Sequence, residues 1–406
     1  MTKKTLLTLW CVLMLALITA SSLCAYAAAP NLNSHAPAQA GPRIHQNIDE
    51  SVYVPMKGNT RPEATAVNFR GPASPSLQMD HIFLFLQRSP QQEQALNQLI
   101  EQLNDRKSQN FHKWLTAEEF GERFGVAEDD IQAVTNWLQS HGLRVNQVYT
   151  NRMLIDFSGT AAQVGEAFHT QIGELEVGGE AHIANMSDPM IPASLSPVVA
   201  GIFSLNDFKP HAMNRPISKY TFSGCATGAD SPTEPGTCYS MTPQDTQTVY
   251  NLTPLYNAGY SGQGQTIALV EDTDTYSGAG DWNTYRTAFG LATAFPLATY
   301  AQVHPGGCTD PGTNADDGEA AIDVEVASSV APSAAIELIA CASGTTTFGG
   351  LIAMQNLVNG AGPYPGVMSV SYGVCEAFNG NGGNQAFYNT YQQAAALGIS
   401  VFGASG

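Results

Sequence analysis

Residues 265–270 read QTIALV, residues 334–340 AAIELIA, residues 367–372 VMSVSY and residues 399–402 ISVF. Each is a short apolar run of the kind that suits a strand buried on both faces of a parallel sheet. Helical stretches lie between them, at Gly318–Val330, Gly349–Val358 and Asn384–Leu397. Strands alternating with helices imply right-handed crossovers and an α/β, doubly wound sheet. Such sheets gather functional groups at the carboxyl ends of their strands. No internal repeat interrupts this pattern.

Upstream the pattern changes. Residues 76–207 predict a separate α+β domain. His81–Gln87 (HIFLFLQ) reads as a strand, and Pro90–Asp105 as a helix with Leu96, Leu99, Ile100 and Leu103 on one face. Thr116–Phe124 opens with the form of a capping box, Thr-Ala-Glu-Glu. Glu128–His141 is a third helix, ending at Gly142. Arg144–Thr150 and Arg152–Ser158 read as a hairpin, Ala161–Phe168 as a helix and Gln171–Leu175 as a last strand. This set suits a ferredoxin-like sandwich. Residues 28–75, rich in Pro, Ala and Asn, read as a flexible leader. Residues 208–243, rich in Pro, Ser, Thr and Gly, read as a linker open to proteolysis.

The N-terminus has the form of a signal peptide over residues 1–27. Lys3 and Lys4 precede the apolar stretch Leu6–Ala20, and Ala25-Tyr26-Ala27 offers a cleavage site. Leu23 is too large for the small residue that a lipoprotein signal places before Cys24. No later segment reaches membrane-spanning length, so the expectation is a secreted protein without a membrane anchor. Five cysteines follow the signal. Cys225 with Cys238 and Cys308 with Cys341 are possible pairs, leaving Cys375; spacing leaves the connectivity open and shows no zinc pattern.

The net charge of −18 argues against nucleic acid or an anionic membrane as partner. After Lys219 the only Lys or Arg is Arg286. The carboxylates of that region repel at neutral pH and less so near about pH 4, which fits acid working conditions and, equally on this feature alone, a merely soluble acidic surface.

The chemistry centres on Asp317–Val326, DGEAAIDVEV. Glu319 and Asp323 are four apart and project from one helix face. Alanines, Ile322 and Val326 surround them, so the face is expected to be partly buried. Two carboxylates close together there share a proton and titrate as a pair. That suits general acid–base work in acid, where a histidine is locked as imidazolium. Glu325 lies off this face, as an ordinary exposed carboxylate. Alone, Glu-x-x-x-Asp is a weak signal, since most such pairs are solvated.

The surrounding segments resemble the sedolisin family of serine-carboxyl peptidases over nearly the whole chain. FHKWLTAEEFGERFG, AVTNWLQSHG and AAQVGEAF are similar to the family's pro-kumamolisin-type activation prodomain. MTPQDTQTVYNL, YSGQGQTIALVED, GEAAIDVEVASSVAP, PGVMSVSYG and AAALGISVFGASG are similar to the start of its catalytic domain, here residues 244–406. The resemblance implies a subtilisin-like fold in which Glu319 is the base and Asp323 orients it. It implies that Glu271 and Tyr372 support the carboxylate network, although close relatives often carry Trp in place of Tyr372. Ser371, Tyr372 and Gly373 then form the sheet edge that receives an extended peptide substrate. Partners on this reading are protein or peptide substrates and the chain's own docked prodomain, which chaperones folding and is released in acid.

In the family an oxyanion aspartate, a nucleophilic serine in a Gly-Thr-Ser-type motif and a calcium site follow later in sequence. No serine here matches that nucleophile; Ser405, in Gly403-Ala404-Ser405-Gly406, matches a strand end instead. The expectations are therefore no nucleophile and no metal ligand in these residues, calcium bound beyond residue 406, and no activity for this chain alone. An ordinary subtilisin histidine is absent: His304 sits in a turn-like His-Pro-Gly-Gly, and Asp272-Thr273-Asp274 reads as a strand-end loop. The competing readings are a truncated, non-catalytic pseudopeptidase acting as inhibitor or binding protein, and a two-acid glycoside hydrolase. The second fits poorly, because carboxylates on one helix face do not flank a sugar.

Overall fold

A computed structural model describes residues 41–213 and 242–404, together with the paired strands Phe222–Ser223 and Thr237–Cys238. The signal peptide, residues 28–40 of the leader, most of the linker, Cys225 and Ser405 lie outside the described residues. Gln39–Gly406 form one compact unit.

The C-terminal half is a mixed α/β arrangement around a five-stranded parallel sheet. Its strand order is Thr299–Val303, Ala335–Ala340, Thr266–Glu271, Val367–Val370 and Ser400–Gly403. Four of these strands are the apolar runs of the sequence. Thr299–Val303 escaped notice because it is an edge strand, half-exposed and polar in part. The helix Asp317–Val330 buries Ala320 and Val324 against Leu269, Ile336, Leu338 and Trp282. Trp282 also donates its Nε1–H to Ser328 Oγ at 2.7 Å. The helix stops at Val330, one residue before the pre-proline Ala331. Cys308 and Cys341 are disulfide-bonded and Cys375 is free and exposed.

The N-terminal half holds a four-stranded antiparallel sheet, ordered Arg144–Val148, Leu154–Thr160, Gln78–Leu86, Val199–Phe203. The helices predicted here form as Pro90–Asn104, Ala117–Phe124, Glu128–Ser140 and Ala161–Ala167. Thr116 and Glu119 make the capping box that the sequence announced, satisfying otherwise unpaired amides of the first turn. The leader expectation does not hold for residues 41–75. Tyr53–Pro55 pairs with Met190–Pro192, and Phe69–Pro72 pairs with Ile172–Val177. Asp130 accepts the backbone N–H groups of Arg43 and Ile44, and Asp188 those of Gly58 and Asn59. A few buried acidic anchors thus fix a segment whose composition carries no periodicity.

The strand Gln78–Leu86 explains how the halves join. Ile82, Leu84 and Leu86 point into the core of the N-terminal half, among Val134, Leu138, Phe157 and Phe168. Phe83 and Phe85 point the other way, into a core shared with Leu351, Ile352, Met354, Ala394 and Leu397. HIFLFLQ is apolar at nearly every position because both faces are covered. Burying each large side chain contributes about 1.5–3 kcal/mol, so the shared core makes a large contribution to holding the halves together.

Several polar groups inside this interface are paired across it. Asn151 donates through Nδ2 to Gln393 Oε1 at 2.6 Å and through its backbone to Asn359 Oδ1 at 3.0 Å. Arg88, on the N-terminal half, donates to Glu93 Oε2 at 2.7 Å and to Gln392 Oε1 at 3.0 Å. Close approach requires glycine at one point: a Cβ on Gly382 would lie 2.4 Å from the Ile202 carbonyl oxygen. Replacing Asn151 by Ala strands the carbonyl of Gln393 in the interface. The expected cost is about 1–3 kcal/mol in urea unfolding of the whole chain. A loss below about 0.5 kcal/mol would show that the amide network contributes nothing net.

Candidate active site

Glu271 is the last residue of the central strand Thr266–Glu271, and Ser371 follows the neighbouring strand Val367–Val370. Both therefore stand at the carboxyl edge of the sheet. Asp323 reaches this edge from the helix Asp317–Val330. Ser371 Oγ lies 2.9 and 2.7 Å from the two carboxylate oxygens of Asp323, to which it donates. Tyr372 Oη donates to Glu271 Oε2 at 2.7 Å. The carboxyl groups of Glu271 and Asp323 lie close enough to interact and to share a proton. A bond between two carboxyl groups needs a proton between them.

The environment says where that proton resides. Glu271 is fully buried, and burial pushes its carboxyl well above the usual range. The charges of Asp323 and Glu319 push the same way, and only the Tyr372 hydroxyl opposes them. Asp323 is also raised by burial, but the bonds from Ser371 and Glu271 favour its charged form. Glu271 is thus the neutral donor and Asp323 the carboxylate acceptor. Burial raises the Tyr372 phenol, and the Glu271 carboxyl beside it pushes the same way, so it stays a donor. No Lys or Arg takes part in these bonds; neutral hydroxyls and a proton hold the anion.

Glu319 is buried on the same helix, one turn before Asp323. The burial of this face has a different source from the one expected. Ile322 and Val326 are exposed, at 39% and 50%, while Ala320 and Val324 make the contact with the core. Glu325 also departs from expectation: burial, with the charge of Asp281, pushes it up to about 7.

The segment His211–Ala212 pairs antiparallel with Tyr372–Gly373, and Met213 donates its backbone N–H to Ser371 O at 2.9 Å. The first residues of the linker therefore lie as an added strand on the edge next to Asp323. Gly373 permits this, since a Cβ there would sit 2.9 Å from Met213 Cε. Sequence reading missed Asp272 and Asp316. Asp316 is raised by burial and by Asp272, with His211 opposing. Asp272 also accepts from Ser343 Oγ at 3.0 Å. The Asp272-Thr273-Asp274 triplet was the available signal. His304 is not joined to this network by any bond to Glu271 or Asp323; it faces Asp274 at 3.0 Å.

Residues 65–208 match the family model described as Pro-kumamolisin, activation domain. The chain is 29% identical over 199 residues to sedolisin of Pseudomonas sp. (strain 101), covering 47% of this chain and 33% of that protein. It is 29% identical over 187 residues to xanthomonalisin of Xanthomonas sp. (strain T-22), covering 45% of this chain and 22% of the relative. Kumamolisin of Bacillus sp. (strain MN-32) is 26% identical over 295 residues, covering 72% of this chain and 51% of that protein. The matches thus span about a fifth to a half of the length of these relatives.

A buried acid with a raised pKa has a definite linkage sign. Its neutral form favours folding, so stability falls as pH rises from the unfolded glutamate value toward the folded one. Glu271→Gln keeps a donor toward Asp323 and removes the titration. Thermal melting should show the variant gaining on the parent between about pH 4 and about pH 8, with little gain at the acid end. An equal effect at both ends would mean that Glu271 does not hold the proton.

Proposed function

From a sedolisin-family protein, which the activation-domain match and the three relatives support, we propose the precursor of an acid-acting serine-carboxyl endopeptidase. On this reading the C-terminal half is the beginning of a subtilisin-like catalytic domain. The N-terminal half is its prodomain, with a ferredoxin-like sandwich, and the protein is secreted. The observation that carries the proposal is the pair of neighbouring carboxyls, Asp323 bonded by Ser371 and Glu271 bonded by Tyr372, beside a sheet edge already holding an extended segment.

Glu319 acts as general base and then general acid: it takes the proton of the attacking serine hydroxyl and passes it to the leaving amine. Asp323 is the positioning residue one turn below it. Its charge is held in place by Ser371 and by neutral Glu271, which tunes Glu319 for work in acid. A substrate lies along Ser371-Tyr372-Gly373 by main-chain pairing, in the manner of residues 211–213. Acyl transfer also needs the nucleophile and oxyanion donors. None of the 406 residues is assigned to either, nor to calcium, and no step is routed through that ion.

The precursor reading makes the docked prodomain a block on its own cleft. Its acid release has a candidate trigger in the interface. Burial pushes Glu93 up, but bonds from Gln392 and Arg88 outweigh it and hold the carboxyl below its usual value. A lowered carboxyl stabilises docking above the free glutamate value, and that stabilisation is lost as pH falls through the docked value. The neutral amides around Asn151 do not titrate and hold at every pH. Glu93→Gln should therefore release the prodomain at higher pH than the parent, read as the onset of protease nicking on descending from about pH 6 to about pH 3. Identical onset would remove Glu93 as the trigger.

Two assays test the function itself. The 406-residue chain alone should not turn over denatured protein between about pH 3 and pH 5. Turnover abolished by Glu319→Ala would overturn that expectation. The protein from the whole reading frame should be active there. In that protein Glu319→Gln should lower kcat by about 10²–10⁴, with KM little changed. Unchanged kcat would end the proposal.

A further inference from the structure

Three side chains outside the Glu271–Asp323 network converge from separate segments. Asp274 follows the central strand, His304 follows the edge strand Thr299–Val303, and Asp310 lies in the loop beyond it. His304 Nε2 is 3.0 Å from Asp274 Oδ1 and 3.8 Å from Asp310 Oδ1. One donor atom of each residue lies within 4.8 Å of the others. We propose that Asp274, His304 and Asp310 bind a divalent transition-metal ion, with zinc as its working probe.

The spacing fits the chemistry. Bonds of about 2.0–2.1 Å in a tetrahedral site put ligand atoms about 3.3 Å apart, between the two observed separations. One imidazole with two carboxylates selects a borderline ion such as zinc, cobalt or manganese over calcium, which takes oxygen ligands. Asp274 and His304 are mostly covered, with side-chain exposures of 12% and 26%, while Asp310 stands at the mouth with 67%. An ion would find two fixed ligands and an open approach, water filling the remaining position.

Charge points the same way. Two carboxylates face one imidazole, a donor set that suits a cation. No other cation is at hand in the sequence after Lys219 except Arg286. Its guanidinium donates instead to the carbonyls of Pro332, Leu291 and Phe295. The loop is also held in shape without the ion. Cys308 is tied to Cys341, and Asp274 N–H donates to Gly312 O at 2.8 Å. Sequence spacing hides the site, because 30 residues separate Asp274 from His304 and only the sheet brings them together.

A bound ion would tie the start of the loop that leads into the carboxylate helix, at His304, to Asp274, three positions after Glu271. The inference is independent of the peptidase reading, and its test needs no activity. The tag-free 406-residue chain is titrated with the metal at about pH 7.5. Expected are one saturable equivalent of Zn²⁺ by calorimetry, visible d–d bands with Co²⁺ and a raised melting midpoint. His304→Ala should abolish all three. Asp310→Ala, at an exposed loop position, should weaken zinc at least about tenfold. No saturable binding overturns the proposal, as does binding unchanged in His304→Ala or reproduced equally by Ca²⁺. Should His304→Ala fail to fold, the Asp310→Ala titration decides alone.

Discussion

An anion held without a cation is the constraint on which the candidate site depends. Asp323 is half-buried at the end of a sheet whose half of the chain contains one arginine, and that arginine is engaged elsewhere. A salt bridge is therefore not the device used. A serine hydroxyl and a second carboxyl with its proton do the holding, and a tyrosine holds that second carboxyl in turn. Such an arrangement is sensitive to pH by construction, because one of its donors exists only while protonated. It also explains why the residues come from two neighbouring strand ends and one helix: neutral donors act only at contact distance.

The same economy governs the interface between the halves. Its strength is apolar, supplied by Phe83 and Phe85 on one face of a strand whose other face already builds the N-terminal core. Its specificity is polar, in fully buried amide pairs and one charged cluster around Arg88. Only the charged part responds to acid. The apolar part is blind to pH, so docking is graded rather than switched by any single carboxyl.

Much of this was legible in the sequence. The four apolar runs became sheet strands because parallel strands are covered on both sides, a pattern that periodicity shows directly. The Glu319–Asp323 spacing put both residues on one buried helix, although the burying contacts came from Ala320 and Val324. What stayed hidden was tertiary. Residues 41–75 have no periodic pattern, and isolated acids such as Asp130 and Asp188 hold them down. The pairing of residues 211–213 with the sheet edge is a main-chain contact between distant segments, which side-chain identity does not encode. Ser371 was legible as part of an edge but not as the donor to Asp323.

The strand Gln78–Leu86 carries one more consequence. Its phenylalanine face is covered only while the halves stay together. On the precursor reading, cutting the linker would let the halves separate; two large aromatic rings and the leucines around them would then meet water on one partner, and the Leu351–Ile352 patch would do so on the other. Each freed piece is then stickier than the joined molecule, and the intramolecular concentration that favoured re-docking has gone with the covalent connection. Separation of this kind runs in one direction: the cut converts a reversible clasp into a departure.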